Sequence, residues 1–125
     1  MSHLHQVLGQ RVDQWRGARG DILQRIRDHI LAADGRAVRR VILFGSRARG
    51  EARPDSDYDV LVLVTGMDAA QRSAFRSKLY RAVEDIGAAV EPWVMSEDEF
   101  EESKTVVGGL AYPAWKEGVV LHPDA

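Results

Sequence analysis

The sequence predicts an α/β (α+β) fold in which a small sheet is flanked by helices. Two short apolar runs, residues 41–44 and residues 57–64, are rich in Val, Ile and Leu and are bounded by turn residues, as is typical of strands buried on both faces. A third run, residues 88–95, follows a long segment with helical spacing. Because a helix between two strands lets the chain return to the same sheet, we expect the three runs to share one sheet.

The N-terminal part, residues 1–35, is expected to form two helices. Apolar residues recur at helical spacing over residues 3–16 and predict an amphipathic helix. We expect its apolar stripe to pack in the core, and contact with a partner chain is the alternative. A second helix is expected to begin near Asp21 and to stop at Asp34-Gly35. Its apolar face consists of Ile22, Leu23, Ile26, Ile30 and Leu31.

Residues 36–95 contain the three expected strands and one long helix. Gly66 ends the second strand, and Asp68 is placed to cap the helix, which we expect to continue through Ile86. Pro92 lies within the third strand and has no N–H to donate to a sheet. The third strand is therefore predicted to lie at an edge of the sheet.

Residues 96–125 are expected to supply a helix and a closing strand. Ser96 followed by Glu99 has the form of a capping box and predicts the start of an acidic helix. With 125 residues and a hydrophobic content of 45%, the chain is large enough for one core and too short for two. We therefore expect a single domain over residues 1–125, with no internal repeat and no low-complexity linker.

Charge and composition argue against several classes of function. The chain has 17 basic and 19 acidic residues and a net charge of −2, so we expect no general attraction to nucleic acid or to a membrane. Neither an apolar run of about eighteen residues nor a signal-peptide pattern occurs. The lack of cysteine fits a reducing cytoplasm, and the four histidines have no ligand spacing, which argues against a zinc site.

Asp57 and Asp59 are the first candidate site residues. Because successive side chains of a strand alternate between its faces, these two carboxylates are expected to project the same way and Tyr58 the opposite way. Two unpaired carboxylates in one place repel each other and raise each other's pKa. A divalent cation removes this conflict. Mg²⁺ fits best, because it takes oxygen ligands from one or two carboxylates together with nucleotide phosphates.

Gly45 and Ser46 predict a phosphate site beside these carboxylates. The glycine lets the backbone approach a bulky anion, and we expect Ser46 to cap a following helical turn while its hydroxyl and the nearby amides face a phosphate. Arg47 and Arg49 lie on this turn. The basic residues that fall within eighteen positions around the turn are Arg36, Arg39, Arg40, Arg47, Arg49 and Arg53. An anion cradle next to a metal site indicates a nucleoside triphosphate.

Glu91 is a third candidate metal ligand. It lies among apolar residues of the third strand, where a carboxylate is costly to bury unless it is paired or bound to a cation. We favour the metal role, and the alternative is a structural ion pair.

Gly45-Ser46, ten intervening residues and Asp57-Tyr58-Asp59 resemble the signature of the polymerase-β-type nucleotidyltransferase superfamily. The segment GSRARGEARPDSDYDVLV, about a seventh of the chain, resembles the minimal nucleotidyltransferase (MNT) family, whose members occur as antitoxins paired with HEPN toxins. The tail TVVGGLAYPAWKEGVVLHPD resembles that family's closing segment, in which a short helix precedes a Lys-Glu-Gly turn and a final strand. The resemblance implies a polymerase-β-like fold with a small mixed sheet and a catalytic core over residues 36–95.

The same resemblance implies nucleotidyl transfer with two Mg²⁺ ions as cofactors and ATP as substrate. The family's catalytic and metal-binding carboxylates correspond to Asp57, Asp59 and Glu91, although Asp is more usual at the third position. Its nucleotide-binding residues correspond to Gly45, Ser46, Arg47 and Arg49, of which Arg49 occupies the family's frequent Arg position.

We expect the acceptor to arrive on another macromolecule, because little of the sequence remains to form a second substrate pocket. The resemblance implies that this partner is a HEPN toxin, neutralised by binding and by transfer of AMP to a tyrosine. The alternatives are a small-molecule nucleotidyltransferase acting on an aminoglycoside-like hydroxyl, a binding-only antitoxin and a nucleotide-sensing module. A homodimer and a hetero-oligomer are both left open, and no direct binding to nucleic acid or membrane is expected.

Overall fold

A computed structural model describes residues 20–123, so the helix predicted over residues 3–16 lies outside the described residues. The described part begins with helix α1, which matches the second predicted helix and ends at Asp34. The elements in order are α1 (Gly20–Asp34), β1 (Val38–Phe44), α2 (Ser46–Arg49), β2 (Tyr58–Val64), α3 (Ala69–Val83), β3 (Val90–Ser96), α4 (Glu97–Ser103), α5 (Ala111–Glu117) and β4 (Val119–His122).

The four strands form one mixed sheet in the order β3-β2-β1-β4. Strand β1 is antiparallel to both of its neighbours, β2 and β4. Strand β3 returns through α3 and pairs parallel to β2, with Asp59 opposite Glu91 and Val60 opposite Pro92. This architecture confirms the predicted fold class, and the position of β3 at one end of the sheet confirms the edge strand predicted from Pro92.

Helices cover both faces of the sheet, which explains why β1 and β2 are almost continuously apolar. On one face, α1 and α3 pack on a cluster that includes Tyr58, Val60 and Val62. On the other face, α4 and α5 pack on a cluster that includes Leu61 and Leu63. Tyr58 is buried in the first cluster, so it points away from the face that carries the odd-numbered residues of β2, as the alternation predicted.

Two helix starts follow the capping chemistry that the sequence indicated. The Asp68 carboxylate accepts a hydrogen bond from the backbone N–H of Gln71 at 2.8 Å, and the Gln71 side chain accepts one from the Asp68 N–H, which completes a capping box. The Ser96 hydroxyl accepts from the N–H of Glu99 at 3.0 Å. Helix α3 ends at Val83, one turn before the predicted Ile86. None of the helices in residues 20–123 is long and apolar enough to cross a membrane.

Candidate active site

The turn after β1 brings Gly45 against Asp59. Gly45 has φ 77° and ψ −159°, a conformation that is almost restricted to glycine. A Cβ atom built on Gly45 would lie 2.7 Å from Oδ2 of Asp59, because Phe44 and Asp59 are opposed across the β1–β2 pair. Both the backbone conformation and the close carboxylate therefore require a residue without a side chain at position 45.

The turn continues directly into the short helix α2. The carbonyl oxygen of Gly45 accepts hydrogen bonds from the N–H groups of Ala48 and Arg49, at 3.0 and 3.1 Å. Gly45 is the N-cap residue and no side chain caps this helix, so the predicted capping role of Ser46 is wrong. Ser46 is instead the first residue of the helix, because the glycine conformation already turns the chain at the preceding position. The Ser46 hydroxyl therefore does not cap helix α2.

Asp57 and Asp59 form a pair of carboxylates at the start of β2. Asp57 is exposed and immediately precedes the strand, whereas Asp59 lies within it and is half-buried. Burial raises the pKa of the Asp59 carboxyl above its ordinary value, and the negative charge of Asp57 raises it further. The indole N–H of Trp93 opposes this rise, although the buried Trp93 Nε1 makes no regular hydrogen bond to any group in residues 20–123.

The charges around Asp59 leave a net preference for a cation. Glu91 also raises the pKa of Asp59, and the positive charge of Arg49 is the smallest of the influences on it. Within residues 20–123, the carboxyl therefore lies among charges that are negative on balance. Carboxylate oxygens in such a place fit a hard divalent cation such as Mg²⁺.

The two arginines of α2 point to different partners. Arg47 donates from Nε to the Ser56 carbonyl at 3.2 Å and from NH2 to the Ser56 and Pro54 carbonyls at 3.0 and 3.3 Å. Its guanidinium also lies 4.3 Å from the centre of the Tyr58 ring. Arg47 thus fixes the loop that leads into Asp57. Whether it also binds a phosphate, as the sequence predicted, stays a prediction.

Arg49 is held near the carboxylates by two glutamates. Its Nε donates to Oε1 of Glu51 at 2.8 Å, and its NH1 donates to Oε2 of Glu117 at 3.4 Å. These hydrogen bonds, that to Glu51 most of all, raise the pKa of Arg49. Glu117 lies at the end of α5, so the C-terminal segment contributes directly to the orientation of Arg49.

The loop between α2 and β2 positions Asp57 by a local turn. The Ser56 hydroxyl accepts from the Arg53 N–H at 2.8 Å, and the Ser56 N–H donates to the Arg53 carbonyl at 3.0 Å. Ser56 thus closes a local turn through both its side chain and its backbone. Together with Arg47, the turn fixes the backbone one residue before Asp57.

Glu91 faces the same side of the sheet as Asp59 but is engaged by helix α3. NH2 of Arg76 donates to Oε2 of Glu91 at 2.9 Å, and the Tyr80 hydroxyl donates to the same oxygen. The hydrogen bond to Glu91 raises the pKa of Tyr80. The structural ion pair that the sequence left as the alternative is therefore present. Across residues 20–123, no group of three or more His, Cys, Asp or Glu side chains is placed to hold one metal ion.

Arg76 reaches Glu91 by crossing the edge of the sheet. Its Nε donates to the Pro92 carbonyl at 2.7 Å, and its guanidinium lies 4.1 Å from the centre of the Trp93 ring. Helix α3 packs on the opposite face of the sheet, so only the edge position of β3 lets this side chain pass around. Sequence reasoning missed Arg76 and Tyr80, because the helix pattern placed Arg76 on an exposed face. The available signal was their spacing of four residues on a helix that precedes a strand carrying a Glu among apolar residues.

Comparison with models of known protein families identifies the family of this domain. The model that describes the nucleotidyltransferase domain matches residues 23–111, which include the Gly45 turn, both Asp residues and Glu91. The chain belongs to the nucleotidyltransferase domain family. The resemblance found in the sequence is thereby confirmed at the level of this domain. No curated protein matches the chain.

The chain is also similar to several solved structures. A candidate nucleotidyltransferase from Sulfolobus solfataricus is 22% identical with a TM-score of 0.52, over 79% of this chain and 75% of that one. A chain of a toxin–antitoxin complex with AMP-PNP is 20% identical with a TM-score of 0.46, over 78% and 71%. A chain of the tri-AMPylated Shewanella oneidensis HEPN toxin in complex with MNT antitoxin is 18% identical with a TM-score of 0.47, over 79% and 71%. The first of these similarities shows a shared fold.

Proposed function

We propose that this nucleotidyltransferase domain is a Mg²⁺-dependent enzyme that transfers AMP from ATP to a hydroxyl group of a partner protein. The observation that carries the proposal is the contact between Gly45 and Asp59. The Asp59 carboxylate lies directly against a glycine turn that leads into a short helix, so a carboxylate and the start of a helix share one place.

The donor set fits Mg²⁺. Asp57 and Asp59 offer carboxylate oxygens. Burial first and the charge of Asp57 second raise the pKa of Asp59, and a divalent cation would favour its ionised form again. Asp57 and Asp59 would hold the two Mg²⁺ ions, which when bound would supply charge stabilisation for the transferring and leaving groups. Glu91 is proposed as the third carboxylate, which requires that it exchange at least part of its contact with Arg76 for the metal.

The remaining residues bind and orient the nucleotide in this proposal. Gly45 and Ser46 would face the β- and γ-phosphates, since no side chain caps α2 and the glycine leaves the backbone accessible. Arg49, held by Glu51 and Glu117, would supply positive charge beside them. Arg47 would act on the site mainly through the loop that carries Asp57. The acceptor hydroxyl would give its proton to one of the three carboxylates, Asp57, Asp59 or Glu91.

The partner is proposed to be a HEPN-type toxin and the setting the cytoplasm. The support is the resemblance of the GSRARGEARPDSDYDVLV segment to the minimal nucleotidyltransferases that pair with such toxins. One solved complex of this kind contains a tri-AMPylated HEPN toxin. In that reading the chain is an antitoxin that modifies its toxin.

A binding-only antitoxin is the second candidate function, and the ion pair between Arg76 and Glu91 favours it. A third carboxylate that is already neutralised weakens the case for full catalysis. Under this alternative the chain would neutralise its partner by contact alone.

Co-expression of the chain with a HEPN toxin separates the two candidates. With ATP and Mg²⁺, the enzyme should add the mass of AMP to the toxin, and Asp57→Asn should abolish both this addition and toxin neutralisation. If Asp57→Asn neutralises the toxin as well as the wild type does, the binding-only function stands instead. Asp55→Asn, which changes an exposed carboxylate two residues away, is the matched control and should behave as wild type.

A further inference from the structure

Tyr80 is an exposed tyrosine whose hydroxyl is turned towards the site. The residue is 40% exposed on helix α3, and its hydroxyl donates a hydrogen bond to Oε2 of Glu91. The other two tyrosines are arranged differently: Tyr58 is buried beneath Arg47, and Tyr112 packs beside Trp115 at a centroid distance of 6.1 Å. Tyr80 alone among the three has its hydroxyl on a carboxylate of the candidate active site.

The Tyr80 oxygen lies one side chain away from Asp59. Glu91 and Asp59 are register partners on neighbouring parallel strands, which lie about 4.8 Å apart in a sheet. Their side chains project from the same face of the sheet. A hydroxyl bonded to Glu91 is therefore next to the carboxylates proposed to bind the nucleotide.

The three side chains have the arrangement of an activated acceptor. A nucleophile is typically recognised by a hydrogen bond to a base, with the base oriented by a third group. Here the Tyr80 hydroxyl donates to the Glu91 carboxylate, and Arg76 orients that carboxylate with a hydrogen bond of 2.9 Å. Arg76 is itself fixed by the Pro92 carbonyl and by the Trp93 ring.

We propose that Tyr80 is an acceptor of the domain's own reaction, so that the chain transfers AMP from ATP to its own Tyr80. The phenolic oxygen would form a bond to the α-phosphorus while the bond from that phosphorus to the pyrophosphate oxygen breaks. The phenolic proton would pass to Glu91 and then to water, and pyrophosphate would leave. This proposal rests on the proposed nucleotidyl transfer. It assigns that activity a second acceptor, which competes with the hydroxyl of a partner.

Self-modification would also change the state of the site. A phenol esterified to AMP has no proton to donate, so Glu91 would lose one of its two hydrogen-bond donors and keep only Arg76. The added phosphodiester would bring a negative charge beside that arginine. The modified chain should therefore transfer AMP to a partner more slowly than the unmodified chain.

Intact-mass spectrometry of the purified full chain tests the proposal. Incubation with ATP and Mg²⁺ should add the mass of one AMP, and peptide mapping should place it on Tyr80. Tyr80→Phe should remain unmodified, and Tyr112→Phe, the matched control, should be modified as wild type is. Melting temperatures of both variants show whether each is folded, and the mapped site in the wild type decides the matter even if Tyr80→Phe does not fold.

Calorimetric titration of ATP in Mg²⁺ separates failure of this inference from failure of the proposed function. If ATP binds in a Mg²⁺-dependent manner and Asp57→Asn abolishes that binding, but Tyr80 stays unmodified, the self-modification is refuted while the nucleotide site stands. If AMP is mapped to another residue, Tyr80 is likewise refuted. If ATP does not bind at all, both the proposed function and this inference are overturned.

Discussion

Oδ2 of Asp59 lies 2.7 Å from the position that a Cβ atom would take at Gly45. The carboxylate on β2 therefore occupies the space beside the glycine that follows β1. Gly45→Ala would have to displace Asp59 and would also hold alanine at φ 77°. We expect a loss of about 1–3 kcal/mol in the free energy of unfolding from the backbone conformation. Calorimetry should in addition show that Mg²⁺-dependent ATP binding is lost.

Gly66→Ala is the matched control for this substitution. Gly66 has φ 74°, and a Cβ atom there would meet nothing within 4 Å. The control should therefore lose stability in chemical denaturation but retain ATP binding. Retained ATP binding in Gly45→Ala would show that the contact with Asp59 does not matter to the site.

The raised pKa of Asp59 makes stability depend on pH. In the folded state this carboxyl keeps its proton at pH values where the unfolded chain, with an Asp pKa of about 3.9, has lost it. The folded state thus binds more protons in that window, and stability falls as the pH rises through it. Asp59→Asn should raise the melting temperature of the metal-free protein at pH 7, and the gain should shrink as the pH falls towards the unfolded value.

Thermal melts in a chelator between acidic and neutral pH measure this effect. Added Mg²⁺ should then favour the wild type, because a ligand that binds only the folded wild-type site stabilises it. A wild type more stable than Asp59→Asn at pH 7 without metal would contradict the assignment of an unneutralised carboxyl.

The contact between Arg76 and Glu91 should compete with metal binding. Arg76→Met keeps much of the apolar length of the side chain but frees Glu91. The pair is about one-third exposed on each side, so its coupling is of the order of 0.2–1 kcal/mol. Mg²⁺ affinity, measured by titration, should rise by up to about fivefold. Glu91→Gln is the control, and a substitution at Arg76 that leaves Mg²⁺ affinity unchanged would remove Glu91 from the set of ligands.

Arg47 and Arg49 should differ in what their loss affects. Arg47→Lys cannot reproduce donation to two carbonyls or stacking on Tyr58, and we expect it to cost about 1 kcal/mol of stability with a smaller effect on ATP affinity. Arg49→Lys should mainly weaken ATP binding, because Arg49 is exposed beside the carboxylates. Denaturation and ATP titration of both variants distinguish the two roles. Equal effects on both measurements would contradict this division.

Local chemistry predicted most of the fold. Three of these predictions depend only on neighbouring residues in the sequence, and the structure agrees with them. Asp68 caps a helix, the strand that contains Pro92 lies at the edge of the sheet, and Tyr58 points into the core. The predicted cap at Ser46 is wrong because Gly45 is itself the N-cap residue and already turns the chain into the helix.

The contacts of Glu91 could not be predicted in the same way. Arg76 meets Glu91 only because β3 is the last strand and a side chain from the opposite layer can pass around it. Likewise, Glu117 reaches Arg49 across 68 residues of sequence. Such pairings depend on how the layers assemble rather than on spacing along the chain. The proximity of Gly45 and Asp59 could be expected from the sequence, because Asp59 lies on the strand that is adjacent and antiparallel to the one that Gly45 follows.

The contact between Arg76 and Pro92 on β3 limits how another chain can pair with this edge strand. Pro92 has no amide hydrogen, and its carbonyl is already taken by Arg76. An incoming strand would find neither partner at Pro92, so main-chain pairing along this edge would be interrupted at that residue. Recognition of the domain at this position would therefore depend on side chains, and so on sequence rather than on backbone shape alone.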